Sequence, residues 1–380
     1  MTPVVAALLA TFSQVPETPP AVEAEVQKLP ALAAPAPISP APSLPAWLDR
    51  MEITGFARVG VFYTLPLGGE DLIGGRGGFR LADFRLNHSF RITSELSTYA
   101  SVEFAAPRVT AEDPLAGYRA VELRDGYVDY RPHRAFGLRA GQFRPPYYAE
   151  MLLSDGSIPF TGRSVIASGL APPEGYGPRE GLAPERQVGL QASSERLGET
   201  FGVRYAVGVF NGNGQNALLN DNNALATFGR VELDWSRRVT LGVNGYQNTR
   251  SIGTRPNRIY GSELGYGADV AVNAGGLQGL VGFLGRDTSY SGGLPPDRAW
   301  GVLAQARYVH DATGLEGAVR AAVLEPSSTQ VADQVTEVTA MAGYRFAPGA
   351  RVLVQYRLHA EEQATTLAND SVDAMLHVTW

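Results

Sequence analysis

Charged side chains recur at even spacings along extended stretches of this chain. Arg85 and Arg91 share one face of FRLNHSFRI if that stretch is a strand, because side chains alternate with a period of two. Arg58, Arg85, Arg91, Arg139, Arg204, Arg230, Arg307, Arg320, Arg345 and Arg357 fall on the polar faces of such stretches. So do Asp83, Glu103, Glu232, Asp234, Glu263, Asp269, Glu316, Glu337 and Asp373. A guanidinium stays protonated at any ordinary pH and offers a rigid fork of N–H donors. It can therefore hold or steer an anion but cannot shuttle a proton. The first candidates for that role are Arg85, Arg91, Arg139 and Arg144, joined by Glu150 and Arg163 from a long loop that follows. Carboxylates opposite them would complete a field across whatever space the polar faces enclose.

Other chemistries find no constellation. There are no cysteines, which removes disulfides and thiolate metal sites. Of the five histidines, His133 and His310 sit at short turns, His377 is close to the same rim, and His88 falls mid-strand on an otherwise apolar face. His359 lies beside Glu361 and Glu362, but no serine is placed to serve as its nucleophile. The chain therefore reads as no enzyme. Gly212 to Ala217, GNGQNA, matches a dinucleotide fingerprint, yet LLNDNNA and another strand follow where a helix is required. Asp221-Asn222-Asn223 could ligate calcium but lacks EF-hand spacing and reads as a polar loop. No cofactor or metal is expected, and a formal charge of −6 makes no case for nucleic acid.

The elements that carry these residues are strands. In VRYAVGVF, Val203, Tyr205, Val207 and Val209 point one way and Arg204, Ala206, Gly208 and Phe210 the other. The same alternation places Val372, Ala374, Leu376, Val378 and Trp380 opposite Asp373, Met375, His377 and Thr379. Two stretches are blurred: Leu353 sits on a polar face, and Leu277 to Leu284 is apolar on both. Short connections at 94–97, 132–135, 195–198, 236–238, 273–276, 311–314 and 347–350 alternate with long ones at about 66–78, 108–118, 145–184, 212–223, 249–258, 289–297, 327–332 and 362–369. Seven short turns and eight long loops separate sixteen strands. An even strand count with the two loop lengths segregated to opposite rims predicts an all-β fold, a transmembrane antiparallel up-and-down β-barrel. A register bulge is expected near Asp125-Gly126.

Mean hydropathy is −0.10, which fits such a barrel, since only every second residue meets lipid. Val270 to Gly285 is too short and too broken by Asn273 to Gly276 to cross as a helix. Residues 1–14 hold an apolar run, VVAALLATF, of signal-peptide length. Residues 15–50 form a Pro/Ala-rich tail that cannot bury enough apolar surface to fold, and 51–380 form the barrel. Trp380 is expected at the membrane boundary, where an indole suits an apolar border beside water. The barrel would sit in the outer membrane of a Gram-negative-type bacterium. It would contact lipid and lipopolysaccharide, and would be recognised by the barrel-assembly machinery through the strand ending at Trp380. Sixteen strands leave an aqueous lumen for small ions or solutes. The alternatives are a non-conducting receptor or structural barrel and, less favoured, an outer-membrane hydrolase.

The loop at 145–184 is far longer than the others and carries apolar pieces, Met151-Leu152-Leu153 and Ile158-Pro159-Phe160, that would be costly in open water. Folding into the lumen would cover them. Its charges are Glu150, Asp155, Glu174 and Glu180 against Arg163 and Arg179. Leu123 to Glu150, LRDGYVDYRPHRAFGLRAGQFRPPYYAE, resembles the phosphate-selective porin O and P family, in which a G-Q-F-[KR]-x-P-[FY]-x-x-E run leads into a constriction loop. Gly141, Gln142, Phe143, Arg144, Pro146, Tyr147 and Glu150 occupy those places. Further matches are Pro159-Phe160 with Arg163, Arg186 with Gly189, and Phe210-Asn211-Gly212. The resemblance spans about residues 52–380. It implies a sixteen-stranded homotrimeric porin whose third extracellular loop narrows the pore, and anion passage, phosphate in the founding members. This chain departs from the family's lysine and arginine ladders: its only lysine is Lys28, outside the barrel. The resemblance is therefore carried over for the channel and not for phosphate.

Overall fold

The computed structural model describes residues 48–65, 70–71, 77–108, 118–170, 179–217, 219–253, 256–362 and 367–380. The apolar run of 1–14 and most of the 15–50 tail lie outside these residues. The compact unit Ala46–Trp380 is one closed antiparallel barrel. Its strands are β1 Met51–Thr64, β2 Gly77–Arg91, β3 Leu96–Arg108, β4 Tyr118–His133, β5 Phe136–Phe143, β6 Gln187–Ser193, β7 Phe201–Phe210 and β8 Ala226–Trp235. They continue as β9 Val239–Ile252, β10 Ile259–Ala274, β11 Leu277–Tyr290, β12 Asp297–His310, β13 Leu315–Glu325, β14 Val335–Ala347, β15 Ala350–Glu361 and β16 Ser371–Thr379. Each strand pairs with its sequence neighbours, and β16 closes on β1 with Phe56 opposite Thr379. Among the described residues no helix is long and apolar enough to cross a membrane. The sixteen strands and the alternation of short and long connections match the sequence expectation.

Closure leaves no open sheet edge, so the backbone groups of the wall are paired strand to strand. At the seam the Gly55 and Trp380 backbones exchange hydrogen bonds of 3.0 and 3.1 Å. The Trp380 ring lies over Gly55 and beside Phe84, with ring centroids 5.9 Å apart. A Cβ on Gly55 would fall 2.6 Å from the indole and 2.4 Å from the Arg85 carbonyl oxygen, so the close approach requires glycine.

The faces follow the period. Val203, Val207 and Val209 are exposed on the outside of β7, while Gly208 and Phe210 face inward and are buried. The register slips at Arg124, which has no opposite number between the Ser101–Asp125 and Val102–Leu123 pairs; this is the bulge expected beside Asp125. The two blurred stretches also resolve. On β11, Leu280 and Leu284 point inward and Val281 and Phe283 outward, and on β15 Leu353 points inward. These inward leucines are covered by the segment between β5 and β6, residues 144–186.

That segment carries two short helices, α1 Ala149–Leu152 and α2 Val165–Ser168. Phe160 packs against Ala318, Met341, Leu353 and Met375. Tyr147, Tyr148, Met151, Val165, Ile166 and Leu182 pack in a larger cluster with Phe210, Phe228, Tyr246, Leu284, Leu303 and Leu324 of the wall. Apolar residues on the water side of a barrel therefore mark where a loop is seated. Each buried large side chain contributes about 1.5–3 kcal/mol to holding it there.

Candidate functional site

The loop is fastened to the wall by charge as well as by apolar contact, and four of these places hold its inner part. The first is Asp155. Arg144, one residue past β5, donates to the carbonyl oxygens of Met151 and Leu153, each at 2.7 Å, and to Asp155 Oδ1 at 3.0 Å. Arg163 donates to the same Oδ1 and to the Glu150 and Leu153 carbonyls. Arg85, inward on β2, donates to Asp155 Oδ2 at 2.6 Å and to Glu103 Oε2 at 3.0 Å. Glu103 is held in turn by the Phe84 and Ala105 backbone N–H groups, at 2.8 and 3.0 Å. Three guanidiniums thus share one loop carboxylate.

Burial alone would raise the Asp155 pKa. Arg163, Arg144 and Arg85 outweigh it and hold the carboxyl well below its usual range. Burial lowers Arg144 to about 10 against the pull of Asp155, so it stays charged at neutral pH. A depressed carboxylate pKa contributes stability that is present above the unfolded value and lost only as pH falls through the folded one. The loop is therefore expected to stay docked from pH 8 down to about 4, the ordinary aspartate range, and to loosen only below it. A spin label at Ser157 would report this, and a rise in its mobility already at pH 5 would contradict it.

The second place is Glu150. Its Oε1 accepts from the Ser164 backbone N at 2.8 Å and its Oε2 from the Ser164 hydroxyl, while Arg320 Nη1 stands 3.8 Å away. Arg320 on β13 pairs with Glu337 on β14, donates to the Gly162 carbonyl at 3.0 Å and lies over the Phe160 ring at 4.4 Å. Glu337 also accepts from the Val165 backbone N at 2.8 Å. The third is Thr161. Its hydroxyl donates to Asp373 Oδ2 at 3.0 Å, its backbone N to Gln355 Oε1 at 3.0 Å, and its carbonyl accepts from Arg58 at 3.3 Å. The fourth is Asp269, which is held bidentately by Arg230 at 2.7 Å and accepts from the Ala149 backbone N at 3.2 Å. Between these last two contacts Tyr148 adopts φ 28° and lays its ring over Gly282, where a Cβ would be 2.6 Å from it.

Of the residues singled out by sequence, Arg85, Arg144 and Arg163 meet at Asp155, and Glu150 lies at the neighbouring Ser164–Arg320 contact. Arg139 sits apart, over the Tyr127 ring at 4.0 Å and paired with Asp129 at 3.3 Å. Arg91 is exposed at the short-turn end of β2. Asp155 does not face the arginines across open water: it touches them, which spends its charge locally. Sequence reasoning missed the central place of Asp155 and the Arg320–Glu337 and Thr161–Asp373 contacts, because nothing in a strand's alternation states its partner in a loop.

Every carboxylate named on the polar strand faces, from Asp83 to Asp373, has an arginine within ion-pair distance. These pairs are not symmetric toward water. The Arg204 side chain is 44% exposed and its partner Glu232 17%. For Arg345 and Glu316 the values are 42% and 0%. Arg139–Asp129 and Arg124–Glu122 follow the same order, whereas at the loop pair Arg250–Glu180 the acid is the more exposed. At these four strand pairs the carboxylate lies behind its guanidinium, whereas at Arg58–Asp83 and Arg230–Glu232 the acid is the more exposed partner. Among the described residues no cluster of three or more candidate metal ligands occurs.

No family model and no curated protein matches the chain. Solved structures do match in fold. An anion-selective porin from Comamonas acidovorans superposes with a TM-score of 0.58 at 11% identity, covering 87% of this chain and 99% of that one. The outer membrane channel DcaP of Acinetobacter baumannii gives 0.57 at 13% identity over 87% and 97%. OmpT, an outer membrane protein of Vibrio cholerae solved in its trimer form, gives 0.54 at 11% over 87% and 99%. At such identities the likeness is one of fold.

Proposed function

We propose that this chain is an outer-membrane porin, a passive diffusion channel for small hydrophilic solutes with a weak preference for anions. One observation carries the preference: at Arg204–Glu232, Arg345–Glu316, Arg139–Asp129 and Arg124–Glu122 the guanidinium is the more exposed partner, so a near-balanced charge count still presents positive charge at these points of the wall. In a narrow, low-dielectric passage such a wall raises the local concentration of the opposite charge. The likeness of fold to an anion-selective porin supports this reading. So does the apolar outer surface, with Val231, Val243, Val281 and Val319 each about half exposed, as lipid contact requires.

The 144–186 segment is the constriction in this proposal, and its long-loop rim faces the cell exterior. Assembly as a homotrimer is supported by the trimer form of OmpT and by the resemblance to phosphate-selective porins. Selection of phosphate itself has no feature of this chain behind it. The test is single-channel recording in a planar bilayer, with the reversal potential read in a salt gradient. Chloride is expected to permeate more readily than potassium, and Arg204→Glu with Arg345→Glu should shift the reversal potential toward cations. A lumen that never conducts would instead favour a receptor or structural barrel.

A further inference from the structure

The seated loop and the short-turn rim enclose a cavity of about 600 Å³. Its wall combines cationic and apolar groups with neutral polar ones, Asn273, Gln278 and Gln305 among them. One side is cationic: Arg307 from β12, Arg345 from β14 and Arg351 from β15 line it, next to the His377 ring from β16, and among the described residues no carboxylate lines it. The nearest acid, Glu316 on β13, has a side chain wholly shielded from water behind these arginines. It accepts from Arg351 at 3.0 Å, from Arg345 at 3.3 Å and from Arg307. Three guanidiniums around one carboxylate leave two positive charges uncompensated.

Two donors there are also unused. Arg307 and His377 are only 8% and 3% exposed, yet Arg307 Nε and His377 Nε2 have no hydrogen-bond partner among the described residues. Arg351 Nε donates to His377 Nδ1 at 3.0 Å. In the neutral ring that makes Nε2 the protonated nitrogen and a free donor. Buried donors without partners are rare, and beside excess positive charge they mark the place of an acceptor. Other lining residues are apolar: Leu153 and Pro159 of the loop and Ala271 and Leu280 of the strands.

We propose that this vestibule is a binding site for an organic anion, a carboxylate carried on a small apolar body. The carboxylate meets Arg307, Arg345 and the His377 Nε2–H, and the body lies against Leu153, Pro159 and Leu280. An inorganic oxyanion would satisfy only the first half, and a neutral solute only the second. The site rests on the channel reading for the route by which the ligand arrives, but its chemistry does not depend on conduction.

The test is calorimetric titration of the full chain in detergent with benzoate, benzyl alcohol and inorganic phosphate. Benzoate is expected to bind at least about tenfold more tightly than either of the others, the size of one charge-assisted hydrogen bond. Arg345→Gln, which removes a guanidinium that fastens nothing in the loop, should cost benzoate about tenfold on the same grounds. His377→Phe should weaken it, and His377→Gln, which restores an N–H, should recover it. Equal binding of benzyl alcohol would reduce the site to an apolar pocket and overturn the proposal, as would equal or tighter binding of phosphate. If Arg345→Gln fails to fold, shown by loss of the compact form on unheated gels, the three-ligand comparison on the unaltered chain still decides. A chain that binds benzoate but does not conduct retires the channel and keeps the site; one that conducts without binding retires the site alone.

Discussion

Removal of residues 151–180 is expected to raise single-channel conductance several-fold while leaving the barrel assembled. The deleted stretch supplies Asp155, Thr161, Phe160 and Val165, through which the loop reaches β1, β2, β13, β14, β15 and β16. The wall loses cover rather than pairing: Arg320 keeps Glu337, Arg58 keeps Asp83, and Arg85 keeps Glu103. Strand-to-strand hydrogen bonds are untouched, and they close the barrel. What the deletion exposes is an apolar patch around Leu303, Leu324 and Leu353, a cost of solvation rather than of topology. Conductance unchanged by the deletion would mean that the loop does not define the narrowest section. Asp155→Ala is the milder form. It removes the carboxylate that three guanidiniums share and should loosen the loop, giving a noisier open level and a stronger anion preference.

The second large effect is expected at Arg320. Its side chain is nearly inaccessible to water and joins the Glu337 carboxylate, the Gly162 carbonyl and the Phe160 ring in one contact. Arg320→Met keeps volume but takes from Glu337, a buried charge, the guanidinium it pairs with, leaving Thr339 and the Val165 backbone N among its supports. Removing one partner of a buried pair costs about 3–5 kcal/mol. Replacing both, Arg320→Met with Glu337→Gln, should recover most of it, since a well-packed apolar contact under Phe160 is no worse than a buried ion pair. The measurement is the urea midpoint of the lipid- or detergent-folded chain for both single variants and the double variant. Additive losses would show that the two residues act independently, and would deny this pair a role in seating the loop.

Several features of this protein were legible in its residues alone, and they share a cause. Strand existence, the outward set Val203, Val207 and Val209, the slip beside Asp125, and the segregation of turn lengths are all local. A period of two and a turn composition can be read within ten residues of where they act. Even the apparent faults of the pattern, Leu280, Leu284 and Leu353 on the water side, were visible, although their reason was not. The G-Q-F-R run at 141–144 likewise pointed to the loop that follows it.

What the chain's order could not state is who meets whom across the barrel. Thr161 finds Gln355 and Asp373, and Asp155 finds Arg85, across sequence separations that no local pattern spans. Those meetings follow from strand closure, which brings β1 and β16 to the same side of the lumen, and from the apolar seats that fix where the loop comes to rest. Which partner of an ion pair meets water was decided the same way. Ten arginines and nine acids read as balanced in one dimension; only packing determines that Glu316 lies behind Arg345 and Glu232 behind Arg204. A charge acts on its surroundings by how far water and neighbours screen it, and that distance belongs to the folded arrangement rather than to the residue.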